Sequence, residues 1–317
     1  MTRFVLRRLL SSALLLVVVS FIIFSFIYIA PGDPVTVLLG GHDVTPEQVQ
    51  AVRDQYHLDD PFIAQYASWM SDVIHGDFGE SIGAQAPVSE IVGPRILPTL
   101  ELAAYAWVLV VVLGVGGGIL AAVNQGKGID RFVTGSTLVA SSIAPYVSGI
   151  ALIVIFAASL QWFPVFGLGA GFASRLYHLT LPAIALAISL SAFVGRITRA
   201  GMIDSLRSEY VDTARSRGMD SRTVVMKHAL RSALVPIVTV VGLATGYLIT
   251  GTVVVEYTFG IPGLGSELLS AIQEKDFAVV QAIALLFTFA FIVVNFIADI
   301  LYVIIDPRVR LSRDRQH

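Results

Sequence analysis

The chain of 317 residues contains no cysteine, which excludes disulfides, thiol catalysis and cysteine-held metal. Charge is scarce too: Asp, Glu, Lys and Arg make up 14% of the residues, against roughly 25% in an ordinary soluble domain. The six histidines, at 42, 57, 75, 178, 228 and 317, form no i, i+4 pair and show no metal-ligand spacing. No G-x4-G-K-[ST] phosphate loop occurs, since Gly126-Lys127-Gly128 lacks the first glycine and the hydroxyl residue. The chain is therefore not expected to bind ATP phosphates itself. Gly79-Glu-Ser81-Ile-Gly83 matches the hydrolase nucleophile pattern, but it sits in a Gly-rich exit from a short helix rather than in a strand–turn–helix elbow. No enzyme activity, cofactor, metal or nucleic-acid partner is expected of this chain.

Apolar residues fill the space that charge leaves, at 55% of the chain and a mean hydropathy of +0.77. Six segments are long and uncharged enough to cross about 30 Å of hydrocarbon, which takes about 20 helical residues. They centre on Leu9–Ala30, Leu102–Val123, Phe132–Leu160, Leu176–Gly195, Ser232–Val255 and Phe277–Ala298. The uncharged stretch from Phe132 to Ser174 is too long for one helix. Gln161-Trp-Phe-Pro164 and the glycines at 167, 169 and 171 are expected to end its span in an interfacial loop. The first span follows Arg3, Arg7 and Arg8 as a signal peptide would. Its length, the lack of an A-x-A site and the later spans argue that it is retained.

Basic residues are sorted by segment. Segments 1–8, 124–131, 196–231 and 306–317 hold 17 of the 21 Lys and Arg, and the alternate segments 31–96, 161–178 and 257–280 hold four. Because short basic loops resist translocation, both termini are expected in the cytoplasm. The longest basic stretch, 196–231, carries eight: Arg196, Arg199, Arg207, Arg215, Arg217, Arg222, Lys227 and Arg231.

On the other side, segment 31–96 is the one sizeable soluble insert, with ten acids against Arg53 and Arg95. Thr45-Pro46-Glu47-Gln48 resembles a capping-box helix start, with Val49, Val52 and Tyr56 on one face. Asp60-Pro61 opens a second helix with Phe62, Tyr66, Trp69, Met70 and Val73 as its apolar side. The insert is read as a helical cap on the membrane domain or as a docking surface for an extracytoplasmic partner. Gly114-x3-Gly118 and Gly242-x3-Gly246 are read as helix-packing sites. Glu101, Glu256 and Asp299, the acids nearest the bilayer, are expected at span ends in structural roles.

Glu209-x4-Ala214-x3-Gly218, with the later Leu-Val-Pro236, resembles the EAA signature of bacterial ABC-importer permeases, except that Thr213-Ala214 replaces an Ala-Ala pair. Ala30-Pro-Gly-Asp-Pro34, His57-Leu-Asp-Asp-Pro61, Gly76-Asp-Phe-Gly-Glu-Ser81, Glu256-Tyr-Thr-Phe-Gly-Ile-Pro-Gly-Leu-Gly265 and Asn295-x3-Asp299-x2-Tyr302-x3-Asp306-Pro-Arg308 are similar to the B-type permease of dipeptide and oligopeptide importers. The resemblance implies an all-α inner-membrane protein of a bacterium, with six transmembrane helices in the type I importer fold. It divides the chain into a first span within 1–30, an extracytoplasmic insert at 31–96 and a five-helix core at 97–317. It further implies a second homologous permease, two ATPase subunits holding ATP and Mg, an extracytoplasmic substrate-binding protein and a peptide cargo. Nickel-chelate and glutathione importers share the same motifs.

In this family the signature loop docks into the ATPase. That role would fall on Glu209, Asp212, Thr213, Ala214, Arg215, Arg217, Gly218 and Met219. Ala214 is small enough to sit against another protein, Gly218 allows a sharp turn, and the arginines can pair with acids across an interface. The alternative class is a stand-alone proton-coupled transporter using Glu101 or Asp299.

The charge split makes a direct prediction. With no native cysteine, Ser71→Cys should react with an impermeant thiol reagent applied outside intact cells that lack an outer barrier, and Ser216→Cys should not. The opposite labelling pattern would overturn the topology.

Overall fold

The computed structural model describes residues 2–29, 50, 53, 60–81 and 83–305, with the side chains of residues 2–4, 27, 29 and 301–305 left out. The expected helix start at Thr45–Gln48, its face Val49, Val52 and Tyr56, the motif at 30–34, the His57-Leu-Asp59 part of the motif at 57–61 and the closing Asp306-Pro-Arg308 lie outside the described residues.

Helices dominate because a bilayer offers no water to satisfy free backbone groups. In chain order they are α1 (Thr2–Ile29), α2 (Phe62–Ile74), α3 (Val88–Val123), α4 (Gly128–Ser141), α5 (Pro145–Ser159), α6 (Phe172–Leu206), α7 (Glu209–Ser216), α8 (Ser221–Phe259), α9 (Leu264–Glu274) and α10 (Phe277–Ile305). A two-residue antiparallel hairpin pairs Glu80 with Pro87 and Ser81 with Ala86. It stands where the sequence suggested only a Gly-rich exit. Five of the helices are long and apolar enough to cross a membrane, and the bent pair α4–α5 completes the expected six if it acts as one span.

That pair departs from the expected single span ending at Gln161. The helices meet at 104°, and the cause is local. Pro145 opens α5, and the residue before a proline is driven out of the helical region, here Ala144 at φ −68° and ψ 146°. The break holds its place because the Ser189 hydroxyl donates to the Ile143 carbonyl at 2.6 Å.

Compactness divides the chain into two units that interrupt one another in sequence: Met1–Leu100 with Ile261–Ile292, and Glu101–Gly260 with Val293–His317. This grouping differs from the span-by-span division at 30 and 96.

The first unit packs Val88 and Val92 of α3 against Leu264 and Ala271 of α9 and Val279 and Ile283 of α10. Polar contacts pin this core. Thr99 Oγ1 accepts the Leu264 N–H at 2.8 Å, Arg95 pairs with Glu267 at 2.8 Å, and the Ser81 hydroxyl donates to buried Asp276. Asp276 also accepts the Val279 N–H at 3.3 Å, so one carboxylate caps α10 and holds the hairpin. Helix α2 begins within a residue of its expected start, with Pro61 at its N-cap.

The second unit is built around α6, whose buried residues run from Leu179 to Ser205. Small residues set the helix spacing. A Cβ on Gly118 would stand 2.7 Å from the Gly195 carbonyl oxygen and 2.7 Å from Thr198 Cβ, and one on Gly114 would stand 2.9 Å from Val194 Cβ. The packing role expected of Gly114-x3-Gly118 is therefore met between α3 and α6. Gly242 approaches Ala298 of α10, and Gly201 of α6 receives the Pro236 ring of α8.

The seam can be tested with alanine. Gly118→Ala should destabilise the protein by about 1–3 kcal/mol through overpacking. Gly116→Ala, whose Cβ would meet nothing within 4 Å, should be neutral or gain up to about 1 kcal/mol from helix propensity. Thermal unfolding of the purified protein in detergent measures both, and equal effects would remove Gly118 from the packing argument.

Candidate coupling site

The basic stretch 196–231 is mostly helical rather than a loop. Helix α6 runs through Leu206, α7 spans Glu209–Ser216, and α8 begins at Ser221. Only two short connections remain. Ser208 turns the chain in an extended conformation, and its carbonyl accepts the N–H of Val211 at 3.0 Å and of Asp212 at 3.2 Å. Glu209 and Asp212 lie in the first turn of α7 and Arg215 in the last, the order the helix dipole favours. Asp212 and Arg215 stand 3.6 Å apart in an exposed i, i+3 pair.

The far end of α7 closes in a Schellman turn. Gly218 adopts φ +77°, its N–H reaches the Arg215 carbonyl at 2.9 Å, and the Met219 N–H reaches the Ala214 carbonyl at 3.4 Å. This is the sharp turn anticipated for Gly218. Asp220 then caps α8 by accepting the Thr223 N–H at 3.0 Å. Hydrogen bonding from Thr223, side chain first and backbone second, holds the Asp220 carboxyl below its usual range.

Ala214 has a different place from the one expected. Val211 and Ala214 are buried three residues apart on the inner face of α7. They belong to one cluster with Ala122 of α3, Met202 and Ile203 of α6, and Val224, Ala229 and Ala233 of α8. The small residue lets α7 lie close on its own chain and offers no surface to another protein. The outward face consists of Glu209, Tyr210, Asp212, Thr213, Arg215 and Ser216, followed by exposed Arg217, Gly218 and Met219. Seven of the eight sequence-identified residues are thus exposed together, and Ala214 is the seat beneath them.

One cation of the stretch turns inward. Arg199 donates through Nε to Asp130 Oδ1 at 2.6 Å and through Nη2 to Oδ2 at 2.9 Å. Asp130, itself buried, also accepts the Gly126 N–H at 2.9 Å and the Thr134 hydroxyl at 3.4 Å. This network ties α4 and the turn before it to α6, one helical turn ahead of Met202 and Ile203. Sequence reasoning missed it, because Arg199 was one charge among eight and Asp130 stood 69 residues away.

Of the two acids that the proton-coupled alternative would use, Glu101 is paired through Oε1 with Arg175 Nη1 at 2.8 Å and Asp299 is half-buried in α10; Glu256 is fully buried near the end of α8. Among the described residues no group of three or more His, Asp or Glu is placed to hold a metal ion.

The architecture is that of ABC-importer permeases. An inward-facing MetNI methionine ABC transporter structure aligns with a TM-score of 0.55, at 15% identity, over 68% of this chain and 96% of that one. An amino acid ABC transporter solved with histidines aligns at 0.52, with 18% identity, over 68% and 94%. Residues 114–311 match the family described as "Binding-protein-dependent transport system inner membrane component", and residues 1–91 match its N-terminal companion. The probable peptide ABC transporter permease y4tP of Sinorhizobium fredii is 35% identical over 97% of this chain and 99% of its own length. The glutathione transport system permease GsiC of Escherichia coli K12 is 36% identical over 98% and 99%. The chain belongs to this family. It is a multi-pass inner-membrane permease subunit of an ABC importer.

Two substitutions test the site's construction. Gly218→Val should cost about 1 kcal/mol or more at a positive φ and expose the 217–220 turn to protease. Asp130→Ala leaves Arg199 without its partner and should cost about 2 kcal/mol or more in thermal unfolding. In a double-mutant cycle, Arg199→Ala added to Asp130→Ala should cost little more. Additive losses would show that the two do not act as a pair.

Proposed function

We propose that this chain forms half of the path of an ATP-driven peptide importer and that α7 is where it receives the work of separate ATPase subunits. A second, homologous permease would complete the path, and an extracytoplasmic binding protein would deliver cargo. ATP and Mg would be held on the ATPase subunits. In this reading both termini and α7 face the cytoplasm. The observation that carries it is the shape of α7: a short, exposed, charged helix standing on a buried seat shared by α3, α6 and α8. A force applied to such a helix passes into three long helices without a flexible link.

Full-length likeness to a peptide permease and to a glutathione permease supports a peptide cargo, since glutathione is itself a small peptide. Dipeptides and oligopeptides are the cargo proposed, with glutathione or a nickel chelate as the nearest alternatives within the same importer type. The Glu101 carboxylate is engaged by Arg175 at 2.8 Å instead of standing alone in the span, which gives little support to Glu101 as the carrier of the proton-coupled alternative.

Thr213 lies on the exposed face of α7 and makes only a local hydrogen bond, to the Glu209 carbonyl at 2.9 Å. Thr213→Trp therefore adds bulk outward without entering the core beneath. The expected result is a correctly inserted protein that loses co-purifying ATPase subunits or substrate-stimulated ATP hydrolysis. Arg215→Glu should weaken the same association. Normal stoichiometry and normal transport in vesicles for both variants would exclude α7 as the coupling element.

A further inference from the structure

Helix α2 of the insert packs on the first membrane span, as the reading of a helical cap on the membrane domain expects. Its Phe62 ring packs on Phe21, Phe24 and Tyr28 with centroids 5.0–5.6 Å away, and Tyr66 packs on Phe21 and Phe24 at 5.2 and 5.7 Å. Trp69 stacks on Phe24 at 5.4 Å. The Tyr66 hydroxyl reaches the Val17 carbonyl at 3.3 Å and Ser20 Oγ at 2.9 Å. The Tyr28 hydroxyl donates to the buried side chain of Gln65.

These contacts fix a depth. The apolar span of α1 runs Val5–Phe26. Its contacts with α2 centre on Ser20–Phe24, so α2 crosses α1 roughly 3–9 Å inside the apolar end at 1.5 Å per residue. An amphipathic helix lying in a membrane interface sits about 5–10 Å into the boundary between headgroups and acyl chains.

The faces of α2 agree with that depth. At 100° per residue, Phe62, Tyr66, Trp69 and Val73 share the side toward α1. Ile63, Ala67, Met70 and Ile74 form a second apolar stripe beside it, and Ile63 and Ile74 are 75% and 74% exposed. Ala64, Ser68, Ser71 and Asp72 lie on the remaining side. The 13-residue helix carries one charge, Asp72. The stripe continues an apolar surface that α1 already presents, since Val17, Val18, Phe21, Ile22 and Phe26 are all exposed at the same level.

We propose that α2 is an interfacial membrane helix whose Ile63–Ala67–Met70–Ile74 stripe rests on the acyl chains of the outer leaflet. A water-facing stripe would leave two isoleucines exposed at the depth of a span, whereas lipid accepts them and leaves Ser71 and Asp72 toward water. A binding protein arriving from outside would then meet the polar side of α2, with its apolar side held by the membrane.

The absence of native cysteine makes the test direct. Nitroxide is attached to Ile63→Cys, Met70→Cys, Ile74→Cys, Ala64→Cys or Ser71→Cys in the full-length chain, together with whatever subunits co-purify. Each sample is reconstituted in phosphatidylethanolamine–phosphatidylglycerol vesicles. Collisions with oxygen, which partitions into lipid, are compared with collisions with a water-soluble nickel chelate. Oxygen should be favoured severalfold at 63, 70 and 74, and the chelate at 64 and 71. Chelate preference at 63 and 74 would place the stripe in water and overturn the proposal. Protection from both collision agents there would show a protein partner on it and also overturn it. Oxygen preference at all five positions would bury α2 wholly in hydrocarbon and overturn the interfacial placement. None of these outcomes depends on the cargo or on the coupling role of α7.

Discussion

The close approach of α3 to α6 is the contact on which the second unit depends. It exists because Gly114 and Gly118 present no side chain to Val194, Gly195 and Thr198. In lipid there is little hydrophobic gain from bringing two apolar helices together, so close van der Waals contact has to supply the association. The same approach brings Ala122, near the end of α3, into the cluster with Met202 and Ile203 of α6. That cluster is the seat of α7. A helix of eight residues is too short to be stable alone, and α7 is held by burying Val211 and Ala214 there and by the turn at Gly218.

Charge does a separate task in the same region. Asp130 sits almost wholly inside the protein and would be costly to bury alone. The Arg199 fork, the Gly126 N–H and the Thr134 hydroxyl together satisfy it. Breaking that set leaves a charge stranded, and so the pair specifies one arrangement of α4 on α6 more than it adds to net stability. The exposed pair of Asp212 and Arg215 is of another kind, since water screens both ends and leaves them available to a partner.

The first unit shows how one carboxylate can organise a connection. Asp276 caps α10 through the Val279 N–H and takes the Ser81 hydroxyl, joining residues 195 apart in the chain. Lys275, in the left-handed region at φ +59°, ends α9 just before it. Neither α9 nor the hairpin was visible in the sequence. Helix α9 is short and only modestly apolar, and two-residue strands carry no periodic signal.

What the sequence determined by itself follows from composition and spacing. Long uncharged runs require membrane spans, because only internally bonded helices cross hydrocarbon, and the order of motifs carried the family. The turn at Gly218 was also legible, since glycine after a basic last turn marks a helix end. The tertiary structure alone decided which residues face inward. It turned Ala214 from a surface group into a seat and Arg199 into a half-buried clamp on buried Asp130. It set α2 against α1 through Phe24, whereas the break of the third apolar segment at Ala144 follows locally from Pro145. In the packing cases the deciding partner lies on another helix: Met202 and Val224 beneath α7, Asp130 opposite Arg199, Phe24 beneath Trp69. A single chain read in order carries no signal for such pairs, because the free energy that selects them arises only when the helices pack.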